Sequence, residues 1–154
     1  MNRVTLTVGK EDVMEGVAMT TSYTGAKMGD GDREAYDRIF TTDEDGTVLE
    51  RFWTEACEAC NDRLKPFMAE AWDGSGDYTA TLDLPGAFDT LLTGSIRNDL
   101  RGFFVNYITG RWYGFTNKGE AAAYTATAES LLADALRKVY YKKKPVRTAP
   151  TKKE

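Results

Sequence analysis

The sequence predicts an α+β fold, predominantly α, in which about four helices pack as a bundle with a small two-stranded β element. Three observations carry that expectation. Two short stretches alternate apolar and polar residues, several longer ones repeat their apolar residues at helical spacing, and glycine or proline stands between them. The 154-residue length suits one domain with a core of its own.

The first alternating stretch, "RVTLTV", sets Val4, Leu6 and Val8 on one face and Arg3, Thr5 and Thr7 on the other, as in a half-buried strand. Gly9 ends it. "KEDVMEGVAMTTSY" then reads as a first helix with acids in its opening turn, where they complement the helix dipole. "TGAKMGDGD" reads as a loop, and "REAYDRIF" as a short helix after it. Thr42 offers an N-cap and Asp43, Glu44 and Asp45 an acidic first turn for a long helix that Pro66 must end or kink. "DGSGD" is a turn, and "YTATLDLP" a second strand with Tyr78, Ala80, Leu82 and Leu84 on one face. A third helix is expected from near Asp89 to about Tyr113. "GFTNKGE", with Thr116 or Asn117 as a cap, separates it from a fourth that starts near Gly119, enters "RKVYYKKK" and stops by Pro145. The expected organisation is one globular domain over 1–144 and a basic tail over 145–154, too poor in apolar residues to fold alone.

Charge is unevenly distributed. From Arg137 onward there are eight basic residues and one acid, whereas residues 1–136 hold 12 basic and 23 acidic groups, a balance of −11. An acidic body with a basic tail seeks a negative partner through that tail, either nucleic acid or the acidic body of a neighbouring copy. No stretch approaches the apolar length of a membrane span, and the opening "MNRVTLTVGKED" lacks the apolar core of a signal peptide, so a cytoplasmic setting with reduced thiols is expected.

Cys57 and Cys60 form C-x-x-C within "RFWTEACEACNDRLKPF". A structural zinc site needs four Cys or His ligands, and this chain has two cysteines and no histidine. A redox pair needs a helix N-terminus or nearby cations to lower its thiol pKa, yet these two sit mid-helix among Glu55 and Glu58. At 100° per residue Leu49, Trp53, Ala56, Cys60, Leu64 and Phe67 share one stripe. Cys57 lies at its edge. The cysteines are therefore expected to be core residues, and no metal or other cofactor is expected. "TGAKMGDGDRE" is neither a P-loop nor an EF-hand, and Asp30, Asp32 and Glu34 read as a solvated turn. Without histidine the common base for a nucleophilic serine is missing, and no spacing singles out a lysine or carboxylate instead, so no catalytic residue is expected.

Two segments stand out as partner-interface candidates. In "FFVNYITGRWYGFTNKGE", Phe103, Phe104 and Tyr107 fit a core helix, but beyond Phe104 the apolar residues spread around the whole circumference. Such a helix is covered on all sides, by its own domain or by a partner. Trp112, Tyr113 and Phe115 beside Arg111 fit either a core or a subunit contact. In "YYKKKPVRTAPTKKE", Tyr140 and Tyr141 are candidate anchors and Lys142, Lys143, Lys144 and Arg147 candidate docking cations, against the alternative of a solubilising tail.

The run "AYDRIFTTDEDGTVLERFWTEAC", followed by "SIRNDLRGFFVNYITGRWYGFTNKGEAAAYTATAESLLADALRKVYYKKKP", resembles small structural proteins of tailed phages and prophages. The order of elements is similar to that of head–tail connector (adaptor) proteins: a helical body, a small β element and a basic C-terminal segment. The resemblance implies a non-enzymatic virion subunit that assembles in the bacterial cytoplasm as a homo-oligomeric ring. Portal or tail components would be its neighbours and DNA at most a non-specific contact. Under it, Lys142–Lys144 would serve docking and the aromatic helix end subunit contact. An acidic body is compatible with a channel through which DNA slides without sticking. The alternative is a small nucleic-acid-associated module that binds through the basic tail.

Overall fold

The computed structural model describes residues 1–28, 41, 45–70 and 72–146, with the side chains of 27 and 28 excepted. The expected helix over "REAYDRIF", the Thr42 cap, the Asp30–Glu34 turn and Arg147 lie outside the described residues. Among them the order is β1 (Asn2–Val8), α1 (Lys10–Met28), α2 (Gly46–Leu64), β2 (Met68–Glu70), β3 (Tyr78–Leu84), α3 (Thr93–Thr116) and α4 (Lys118–Val139). The fold is α+β and predominantly α, as the sequence predicts.

The sheet has three strands, in the order β1-β3-β2, not two. β1 pairs antiparallel with β3 along its whole length, from Asn2 opposite Leu84 to Val8 opposite Tyr78. The unexpected strand is β2, paired antiparallel to β3 with a register shift between Met68 and Glu70. Its sequence, "MAE", is too short to show alternation and consists of good helix formers, so only the neighbouring edge of β3 makes it a strand. Pro66 ends α2 as expected, through a 3₁₀ turn over Lys65–Phe67 that aims the chain at that edge.

Helix boundaries differ where a local signal was weaker than packing. α1 continues through Thr24 and Gly25 to Met28, because a single glycine does not break a helix that packs against α3. Its first turn is tied to the sheet, the Lys10 amide donating to Asp77 at 2.9 Å. α2 starts at Gly46 behind Asp45, whose side chain makes no cap hydrogen bond. A 3₁₀ turn over Thr90–Leu92 precedes α3, and there Asp89 accepts from the Leu91 amide at 3.1 Å. α4 ends at Val139, well before Pro145, because the chain turns at Tyr140 to pair with the segment ahead of α3.

α3 is the central helix. Ile96, Leu100, Phe103, Phe104, Ile108 and Tyr113 are all enclosed, by β1, α1, α2 and α4 between them. The helix that is apolar all round is thus covered by its own domain as far as Tyr113, whereas Phe115 in its last turn is left exposed. Val105 meets α1 at Gly16, where an added Cβ would lie 3.0 Å from its Cγ2. Trp53, Phe104 and Tyr78 pack in a row at the centre, their rings tilted by 42° and 46° with centroids 4.8 and 5.4 Å apart. The Tyr78 hydroxyl donates to Asn61 at 2.9 Å. α3 and α4 form an antiparallel hairpin through Asn117, close-packed where Gly102 faces Leu131 and Gly110 faces Thr125.

Candidate functional site

Of the stripe expected on α2, Leu49, Trp53, Ala56, Cys60 and Leu64 are buried, and Phe52 and Cys57 join them, whereas Phe67 falls beyond the helix in the 3₁₀ turn that Pro66 enforces and is only half-buried. Both cysteines are free and fully buried. Burial pushes the Cys57 thiol up to about 12 and raises that of Cys60 well above its ordinary value. A thiol held neutral and enclosed in this way is a poor nucleophile at neutral pH. Among the described residues no group of three or more His, Cys, Asp or Glu side chains is placed to hold a metal ion. No described helix is long and apolar enough to cross a membrane.

The interface candidates separate into different environments. At the end of α3 the Thr116 hydroxyl donates to the Trp112 carbonyl at 3.1 Å, and the Asn117 amide to that of Tyr113 at 2.8 Å. This closes the last turn and fixes where its three aromatic rings go. Tyr113 turns inward, edge-on to Tyr124 of α4 with centroids 5.2 Å apart, and is fully enclosed. Its phenol is pushed up to about 12 by burial. It is a core residue, not an available contact. Trp112 shows only 8% of its surface. Phe115, by contrast, is 71% exposed, and among the described residues its ring neighbour is Phe52, stacked at 6.1 Å with a 16° interplanar angle.

Phe115 and Trp112 line one wall of a groove of about 530 Å³, and Val48 and Phe52 of α2 line the other. Arg111 fixes its rim. The guanidinium Nε donates to Glu55 at 3.1 Å, while its central carbon lies 5.3 Å from the centre of the Phe52 ring. The Tyr107 hydroxyl donates to the same Glu55 oxygen at 3.2 Å. Burial and the Glu55 charge raise the Tyr107 phenol above its ordinary value. An apolar floor under an aromatic ring, edged by a held arginine, is suited to receiving apolar or aromatic side chains of another molecule. The α2 wall was not legible in the sequence, because nothing there shows that the start of α2 lies beside the end of α3.

The C-terminal candidates lie elsewhere. Tyr140 is exposed but rests edge-on against Phe67 at 5.2 Å. The backbone of 141–143 runs along the segment between β3 and α3: the Asp89 amide donates to the Tyr141 carbonyl at 3.1 Å, Lys142 bridges Phe88, and the Lys143 amide donates to the Ala87 carbonyl at 2.7 Å. Lys142, Lys143 and Lys144 are exposed along that strap. The two candidate regions are thus not brought together. α3 has 24 residues and is about 36 Å long by helical rise, and the hairpin sets Phe115 near one end of it and the strap near the other.

Comparison with known proteins finds no family model, no curated protein and no solved structure that matches this chain.

Proposed function

We propose that the protein is a structural assembly subunit without catalytic activity, and that it serves as a head–tail connector (adaptor) ring protein in the virion of a tailed phage or prophage. The observation that carries the reading is Phe115, 71% exposed over the groove between α2 and α3. A large ring left in solvent beside an apolar groove favours contact with other protein molecules. The assignment to a phage connector is supported by the sequence resemblance. The partners it implies are further copies of the chain and portal or tail components.

Sedimentation velocity of the full chain, alone and with the portal or tail proteins encoded beside it, tests the reading. The expected result is a closed oligomer, alone or on the partner ring, with Phe115→Ser weakening assembly about tenfold or more at unchanged helical content. A chain that stays monomeric in both settings, or assembles equally well as Phe115→Ser, overturns it. A second reading, a nucleic-acid-associated module, is favoured by the exposed Lys142–Lys144 strap. It requires DNA binding that falls steeply with salt and is lost when residues after Tyr141 are removed.

A further inference from the structure

The sheet ends in two edges that are unlike each other. β2 is blunted: three residues long, irregular in register, and preceded by Pro66. β1 is seven residues long, regular throughout, and free of proline, glycine or bulge. On its outer side every second residue presents an amide and a carbonyl to which no described residue bonds. Backbone groups so arrayed are met in full only by another extended chain.

A cleft of about 250 Å³ runs beside the last residues of this edge, between Thr7 and Val8 on one side and Gly94, Arg97 and Arg101 of α3 on the other. Above Gly94 an added Cβ would meet nothing within 4 Å, so the cleft is open there. Arg101 is committed to Asp12 through both Nε and Nη2. Arg97 makes no ion pair or hydrogen bond with any described residue. The cleft therefore has a positive excess and a cation free to pair. We propose that β1 is a docking edge for an extended acidic segment of another protein, which adds as a fourth strand and sets a carboxylate against Arg97. A second copy's β1 is a poorer occupant, since "NRVTLTV" contains no acid and would leave Arg97 unanswered. The proposal goes beyond the assembly reading and rests on different residues from the Phe115 groove.

The test uses three fluorescein-labelled, capped seven-residue peptides titrated with the full chain and followed by anisotropy. One alternates valine and glutamate, one alternates valine and lysine, and one is the glutamate peptide with its alternate amides N-methylated. The glutamate peptide is expected to bind, the lysine peptide to bind about tenfold or more weakly, and the N-methylated peptide not to bind. Arg97→Glu, at an exposed position, is expected to reverse the preference between glutamate and lysine while circular dichroism stays unchanged. Main-chain addition tolerates sequence, so absence of glutamate-peptide binding overturns the proposal. Equal binding of the N-methylated peptide, or a preference unmoved by Arg97→Glu, also overturns it.

Discussion

Three of the four glycines of α3 differ in what surrounds them, and alanine at each gives a graded test of the α3–α4 packing. At Gly110 an added Cβ would lie 2.9 Å from the Thr125 hydroxyl and 3.2 Å from the Thr125 backbone nitrogen. The hydroxyl is held to the Ala121 carbonyl at 3.0 Å, and the backbone cannot rotate away, so the two helices must part by some tenths of an ångström. At Gly102 the neighbour at 2.9 Å is Leu131 Cδ1, the far end of a half-buried side chain that can turn aside. At Gly114 nothing lies within 4 Å. In each case alanine brings about 1 kcal/mol of helix propensity. Overpacking at Gly110 costs about 1–3 kcal/mol, so Gly110→Ala should lose about 1 kcal/mol net. Gly102→Ala should fall within about 0.5 kcal/mol of the parent, and Gly114→Ala should gain up to about 1 kcal/mol. Urea unfolding with an unchanged slope reads these differences, and thermal unfolding should show about 2–4 °C per kcal/mol. If Gly110→Ala proves as stable as Gly114→Ala, the close contact between α3 and α4 is wrong.

The buried cysteines predict an alkaline limit to stability. The Cys57 thiol is raised from 9.0 to about 12 in the folded chain, so its contribution is complete below pH 9 and declines towards pH 12, as the unfolded thiol ionises and the folded one does not. Each such group steepens the loss by about 1.4 kcal/mol per pH unit, and Cys57→Ala should flatten a denaturation series over that range by one group. Rapid alkylation of both native thiols would contradict their burial. Lys138 donates to Asp99 at 2.6 Å and to Ser95 at 2.7 Å, and Asp99 is nearly buried. Lys138→Met should cost about 2 kcal/mol by leaving that carboxylate unpaired, and adding Asp99→Asn should recover part of the loss in a double-mutant cycle. Phe115→Ser should change monomer stability by no more than about 1 kcal/mol, since the ring is mostly in solvent; a larger loss of cooperative unfolding would assign Phe115 to the core.

Alternation in "RVTLTV" and "YTATLDL" and the helical stripe from Leu49 to Leu64 were enough to place β1, β3 and α2, because each pattern states which face is buried whatever covers it. The same stripe settled the cysteines. Their neighbours in sequence fix the face on which their thiols lie. What the sequence left open depended on which element lies opposite. "MAE" became a strand only beside β3. The run around Trp112, Tyr113 and Phe115 is apolar in every direction, and only the positions of α4 and α2 send Tyr113 inward and leave Phe115 out. Composition likewise showed the lysines after Tyr141, but not that hydrogen bonds to Ala87 and Asp89 strap them to the far end of the hairpin. Periodicity is a property of one segment, and a groove, an edge or a strap is a relation between two.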